Sequence, residues 1–154
     1  PGHRLLEKYA VRMGGGANHR FGLYDAVMIK DNHIKGAGGI RAAVAAARKR
    51  IPHTMTIEVE TETLEQVAEA LEAGADIIML DNMPPARMAE AVRFIRSRAP
   101  HVKIEASGGI RLETIREIAA TGVDVISVGG LTHSFASVDI SLDLGGKKPG
   151  GERA

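Results

Sequence analysis

Residues 27–34 read VMIKDNHI, an apolar run that ends on an ammonium, a carboxylate, an amide and an imidazole at Lys30, Asp31, Asn32 and His33. A turn into a helix needs one capping side chain, so four such groups in a row point to ligand chemistry. Comparable groups recur downstream: Glu58 and Glu60, then Asp81-Asn82, then Glu105 with Ser107-Gly108-Gly109, then Ser127, Gly129-Gly130 and His133. Glutamates two apart on an extended segment share a side. With Asp81 they could bind sugar hydroxyls or hold Mg²⁺ through water. The Ser-Gly-Gly and Gly-Gly stretches expose backbone N–H groups near predicted helix starts, chemistry suited to a phosphate monoester. Asn18-His19-Arg20 follow three glycines and, with Lys30, form a cationic cluster suited to carboxylates.

Each group also has a plainer explanation. Asn32 or Asn82 could be a helix cap, the glycines tight turns, the glutamates interior carboxylates balanced by Lys30 and Lys103, and Arg20 a solvated surface residue. Recurrence at five successive positions carries the functional reading. It describes a site with a cationic end, an acidic middle and a phosphate-binding end, fit for a carboxylated small molecule meeting a phosphorylated sugar.

The elements that must position these groups alternate along the chain. Extended apolar runs are predicted at 26–30, 54–60, 76–80, 102–106 and 123–128, with a weaker one at 138–144. Helical spacing of apolar residues predicts helices over 63–73, 85–98 and 112–121. A helix after Pro1 carries Leu5, Leu6 and Tyr9, and the Ala-rich stretch 39–50 ends in Arg48-Lys49-Arg50, which suits a helix C-terminus. Gly74 and Gly122 stand at expected helix ends, and Pro84-Pro85 at an expected start. Strands recurring every 20–30 residues or so, with helices between, predict an α/β fold with a parallel sheet and crossover helices. No GxGxxG follows the first strand and the paired glycines come late, which favours a barrel over a doubly wound sheet. A closed eight-stranded barrel needs about 250 residues, so the expectation is a partial or open (β/α) barrel over 1–144. The GGKKPGGERA tail at 145–154 reads as disordered. The start at Pro1, without Met, reads as a cut.

Composition limits the partners. The 154 residues are 44% hydrophobic and 25% charged with a formal net charge of +1. Neither a basic balance nor a basic–aromatic ladder is present, so nucleic acid is not an expected partner. The absence of Cys removes disulfides and thiolate chemistry and fits a reducing, cytoplasmic setting. No apolar run approaches the roughly 20 residues that span a bilayer, so no membrane partner is expected.

The long segments GGGANHRFGLYDAVMIKDNHI, ADIIMLDNM, EASGGI and TGVDVISVGGLTHS, with Glu-Val-Glu at 58–60 and VDISLDL after them, resemble quinolinate phosphoribosyltransferase, the carboxylating nicotinate-nucleotide pyrophosphorylase family. The likeness runs in order through residues 1–144. It implies transfer of phosphoribosyl from 5-phosphoribosyl 1-diphosphate to quinolinate with Mg²⁺, releasing diphosphate and CO₂ and giving nicotinate mononucleotide for NAD synthesis. By the same resemblance, His19, Arg20 and Lys30 hold the quinolinate carboxylates. Glu60 and Asp81 serve the ribose and lie near a Mg²⁺ held through substrate, without direct protein ligands. Lys30, Glu60 and Asp81 carry the catalysis. Ser107, Gly108, Gly109, Gly129, Gly130 and His133 bind the 5′-phosphate, while Asp31, Asn32 and His33 organise the loop around Lys30. The family also implies an N-terminal α/β domain, a basic Arg-Lys-Thr-Thr segment and a homodimer or higher homo-oligomer in which one subunit completes the other's site. These 154 residues lack that domain and segment, so the chain alone is expected to be inactive. Two rival enzymes fit parts of the pattern: a nicotinate phosphoribosyltransferase that does not decarboxylate, and a barrel aldolase using Lys30 as a Schiff base.

Overall fold

The computed structural model describes residues 2–134, 136–142 and 144. Among these residues, five short strands form one parallel sheet in sequence order: β1 (Val27–Ile29), β2 (Ile57–Thr61), β3 (Ile77–Asp81), β4 (Lys103–Ser107) and β5 (Val125–Ile126). The helices are α1 (Arg4–Met13), α2 (Asp31–Ala37), α3 (Ile40–Arg48), α4 (Leu64–Ala73), α5 (Pro85–Arg98), α6 (Ile115–Ala119) and α7 (Gly130–His133). The arrangement is the predicted α/β one, an open barrel segment with crossover helices.

Alternation along the strands explains why the sheet has two unlike faces. Ile57, Val59 and Thr61 of β2 point one way with Ile78 and Leu80 of β3 and Ile104 and Ala106 of β4, and all are buried. They meet Val44 of α3, Val67 and Ala70 of α4, and Met88, Ala91 and Ile95 of α5 in a single core. Each such Ile, Leu or Val contributes about 1.5–3 kcal/mol by leaving water. The opposite parity carries Glu58, Glu60, Met79, Asp81, Glu105 and Ser107, placed by the registers Glu60↔Met79, Met79↔Glu105 and Asp81↔Ser107. This polar face is the concave inner side.

Local chemistry sets the helix ends. The Thr63 hydroxyl accepts from Gln66 N–H at 3.3 Å while Gln66 Oε1 accepts from Glu62 and Thr63 N–H, a capping box that starts α4. Gly74 ends α4 in a left-handed conformation at φ 80°. Pro84 and Pro85 open α5, where the missing N–H costs nothing.

Three expectations change. Asp31, Asn32 and His33, expected to organise a loop, open the helix α2; His33 Nδ1 accepts from the Lys30 N–H at 2.9 Å, and Asp31 and Lys35 pair one turn apart at 2.9 Å. The helix expected over 112–121 shortens to α6, because residues 111–114 form a turn closed by Thr114 Oγ1 on the Arg111 N–H, which leaves Leu112 exposed. The weak strand expected at 138–144 does not form over 138–142, where Val138, Ile140 and Leu142 alternate as predicted but face solvent without a neighbouring strand among the described residues. Residues 145–154, expected to be a tail, lie outside the described residues. Helix α1 forms as predicted, but Leu5, Leu6, Tyr9 and Met13 along it are exposed.

Candidate active site

The segment 14–22 leaves α1 and crosses the concave face. Lys8 of α1 holds it by donating from Nζ to the carbonyl oxygens of His19 at 2.8 Å and Arg20 at 3.0 Å, and Asn18 Nδ2 returns a bond to the Lys8 carbonyl. Asp25 closes the far side, accepting from the Phe21 and Gly22 N–H groups at 2.6 and 2.8 Å, which hold its carboxyl below the usual range. So fixed, His19 lies over the middle of the sheet. Its Nε2 is 3.5 Å from Glu58 Oε2 and 3.6 Å from Glu105 Oε1. The two carboxylates, Glu105 foremost, push the imidazole up to about 9 from 6.5 against the opposing effect of burial. Burial pushes Glu105 up, but His19 and the Ser127 hydroxyl, which donates to Oε1 at 2.5 Å, outweigh it and hold Glu105 below the usual carboxylate range.

The predicted cationic cluster is resolved into separate pairs. Lys30, at the N-cap of α2, places its ammonium 3.3 Å from Glu60 Oε2, with half of the side chain in solvent. Arg20 donates from Nη1 to the Ala26 carbonyl at 3.1 Å. Among the interior carboxylates, Lys30 balances Glu60 as the plainer reading had it. Lys103 faces outward instead and approaches Asp124 at 3.8 Å, leaving Glu58 to His19.

At the C-terminal ends of β3 and β4 the chain makes an interlocked corner. Asp81 Oδ2 accepts from its neighbour Asn82 Nδ2 at 2.7 Å, and the Asn82 N–H donates to the Ser107 carbonyl at 3.0 Å. Asn82 takes a left-handed conformation at φ 51°, which a short amide side chain tolerates. Gly108 is required here: at φ 89°, a Cβ would lie 2.3 Å from Asn82 Oδ1 and 2.8 Å from Asn82 N. The Ser-Gly-Gly stretch does not lie at a helix start as expected. Gly109 precedes α6 by six residues, so its backbone groups belong to the corner. Gly129 and Gly130 lead into the four-residue α7, where a Cβ at Gly129 would stand 3.0 Å from His133 Nε2. His133 Nδ1 in turn meets Ser134 Oγ at 2.7 Å.

The sheet therefore places Glu60, Asp81 and Ser107 on one face, brings Lys30 to Glu60, and sets Gly108 against Asn82. No bond among the described residues joins Arg20 to Lys30. Glu58 and Glu105, named among the candidate groups but with no role toward His19 expected, lie beneath it. Strand parity gives Glu58 the same side as Glu60, but contact with His19 depends on the path of the 14–22 segment.

Residues 1–143 match the family model for the quinolinate phosphoribosyl transferase C-terminal domain. The chain belongs to this family. It is 56% identical over 145 residues to a probable carboxylating nicotinate-nucleotide pyrophosphorylase of Bacillus subtilis (strain 168), covering 94% of this chain and 49% of that one. The human carboxylating nicotinate-nucleotide pyrophosphorylase is 43% identical over 148 residues, covering 96% and 50%. In three dimensions, the nicotinate-nucleotide pyrophosphorylase of Ehrlichia chaffeensis superposes with a TM-score of 0.84 at 41% identity, over 93% of this chain and 51% of that one. The chain spans about half the length of the relatives it matches. Across that half, the chain carries the parallel sheet and crossover helices described above, and the polar face of that sheet holds the candidate active site.

Proposed function

We propose that this chain supplies the barrel part of an active site that transfers phosphoribosyl from 5-phosphoribosyl 1-diphosphate to quinolinate and decarboxylates the product. The observation that carries the reading is the concave face itself. A family member places Lys30 and Glu60 on neighbouring strand ends and Asp81 beside Ser107 and the Gly108 corner, while its relatives are named for this activity.

In this reading Arg20, Lys30 and His19 receive the two pyridine carboxylates. Charge-assisted bonds position the ring nitrogen against the sugar C1. The nitrogen forms the new bond to C1 as the C1–oxygen bond to diphosphate breaks, and Glu60 and Asp81 lie where carboxylates stabilise positive charge developing on the ribose. The adjacent carboxylate then leaves as CO₂. Its bonding pair remains on the ring carbon, where the pyridinium stabilises it until a proton arrives. Ser107, Gly108, Gly109, Gly129, Gly130 and His133 hold the 5′-phosphate.

Glu60 and Asp81 place carboxylates on adjacent strands, where they fit a Mg²⁺ held through substrate oxygens and water. When bound, the ion would neutralise diphosphate charge. The aldolase alternative fits the geometry poorly. Lys30 is half exposed and faces Glu60, whereas a Schiff-base lysine is desolvated in an apolar pocket or set beside another cation.

The deciding experiment compares quinolinate with nicotinate as substrate, using this chain together with the region that precedes it in its relatives. Turnover of quinolinate with CO₂ release supports the reading. Turnover of nicotinate alone replaces it with the non-decarboxylating reaction.

A further inference from the structure

We infer that Glu105, anchored by Ser127, is the positioning residue for His19. It holds the Nε2 edge of the imidazole toward the sheet, so that Nδ1 and the Arg20 N–H beside it become the two donors that meet a substrate carboxylate. The inference deepens the proposed function and rests on it for the identity of the ligand. Nε2 faces Glu58 Oε2 at 3.5 Å and Glu105 Oε1 at 3.6 Å, while Nδ1 accepts from the Arg20 N–H at 2.8 Å. The two edges of one ring are thus committed to different partners, one pair beneath it and one on its own segment.

That division sets the proton. An acceptor at Nδ1 leaves the proton of the neutral ring on Nε2, directed at the carboxylates. A second proton must enter at Nδ1, and there it meets the Arg20 N–H, a donor facing a donor, so the contact opens. Two N–H groups then stand side by side without an acceptor. A carboxylate takes two such donors at once and fills the gap. With 34% of its side chain exposed, His19 leaves an approach for it from the concave side.

The two glutamates are not equivalent in this task. Glu105 Oε1, the oxygen that faces His19, also accepts from the Ser127 hydroxyl at 2.5 Å, which fixes it from just past β5. Glu58 faces His19 with Oε2, and its Oε1 has no hydrogen-bond partner among the described residues. Orientation of the ring therefore falls to Glu105. Charge acts in the same direction, since Glu105 is the foremost cause of the raised imidazole value of about 9. No other charged side chain pairs with the ring among the described residues. Lys8 of α1 meets the His19 carbonyl, and the Arg20 guanidinium meets the Ala26 carbonyl.

Quinolinate affinity measured against pH tests the inference, in this chain joined to the region that precedes it in its relatives. In Glu105→Gln it should stay close to the parent's at pH 6 and fall about tenfold below it at pH 8, because the ring loses its charge earlier. Affinity for 5-phosphoribosyl 1-diphosphate should not change. Ser127→Ala should give a smaller loss of the same kind. Nitrogen-15 NMR of the imidazole in the unaltered chain adds a readout that no variant's folding can disturb: neutral His19 should carry its proton on Nε2. A proton on Nδ1 instead, a Glu105→Gln profile that overlays the parent's, or equal loss of both ligands at both pH values would each overturn the inference. If the parent bound no quinolinate, the proposed function would fall and the carboxylate contact with it, while the tautomer would still decide whether the ring is held as described.

Discussion

At the N-terminal ends of the strands, two aspartates repeat one arrangement. Asp76 Oδ2 accepts from the Ile57 N–H at 2.7 Å and from Arg48 Nη2 at 2.9 Å. Asp124 Oδ2 accepts from the Ile104 N–H at 2.8 Å and from Arg96 Nη2 at 2.6 Å. Each ties the start of a strand to a helix, and each follows a Gly-Ala or Gly-Val pair. The concave face treats its carboxylates differently. Among the described residues, Glu58 keeps one oxygen unpartnered, and Lys30 of the Glu60–Lys30 pair is half exposed. The aspartates are satisfied by the fold and stabilise it. Glu58 is left incompletely satisfied, a condition that favours binding something else.

The comparison breaks most directly at the corner between the two regimes. Gly108→Ala forces a Cβ into Asn82 and a left-handed backbone on Ala, so it should cost about 2–4 kcal/mol of stability. Urea unfolding that matches the unaltered chain would mean the corner yields without strain. Next in size, if the proposed function holds, Arg20→Ala and Lys30→Ala should each lower quinolinate affinity by about 1.5–3 kcal/mol in this chain joined to the region that precedes it in its relatives, with little effect on folding. Calorimetric affinities unchanged by both would remove these cations from the substrate site.

Asp124→Asn probes the satisfied end and should cost about 1–2 kcal/mol at neutral pH. Burial raises the Asp124 carboxyl, but Arg96, the Ile104 N–H and Lys103 together hold it below 3.8. Its contribution is therefore present above that value and is lost as pH falls through the lowered folded-state value. A stability gap between Asp124→Asn and the parent that persists unchanged at pH 2 would refute the carboxylate's role. The smallest effect is a shift in titration. Glu105→Gln should bring the His19 midpoint down from about 9, followed by NMR of the imidazole. Because that value is raised, the His19 contribution to stability is full below 6.5 and lost as pH rises through about 9. A midpoint near 9 in the Gln variant would leave Glu58 as the sole cause.

The sheet was legible because its strands are short apolar runs bounded by Gly, Pro and charged residues. The predicted runs at 76–80 and 102–106 differ from β3 and β4 by one residue at each end. Helix α2 escaped because DNHIKGA offers only Ile34 as a large apolar residue; its end is set by His33 and its place by α3. The VDISLDL alternation at 138–144 is genuine, but a strand needs a neighbour and the described residues provide none. Within the site, parity placed Glu58 and Glu60 on one side of their strand, and the strand register adds Glu105 and Ser107 to that face. It could not say that His19 would reach Glu58 and Glu105, because that contact closes over long sequence separations through a segment of irregular backbone.

The Asn82–Gly108 corner also acts as a ruler. With Asp81 bonded to Asn82, Asn82 bonded to Ser107, and no room for a side chain between them, the acidic middle and the glycine-bearing end stand at a set spacing. A ligand that touches both ends is measured by its length.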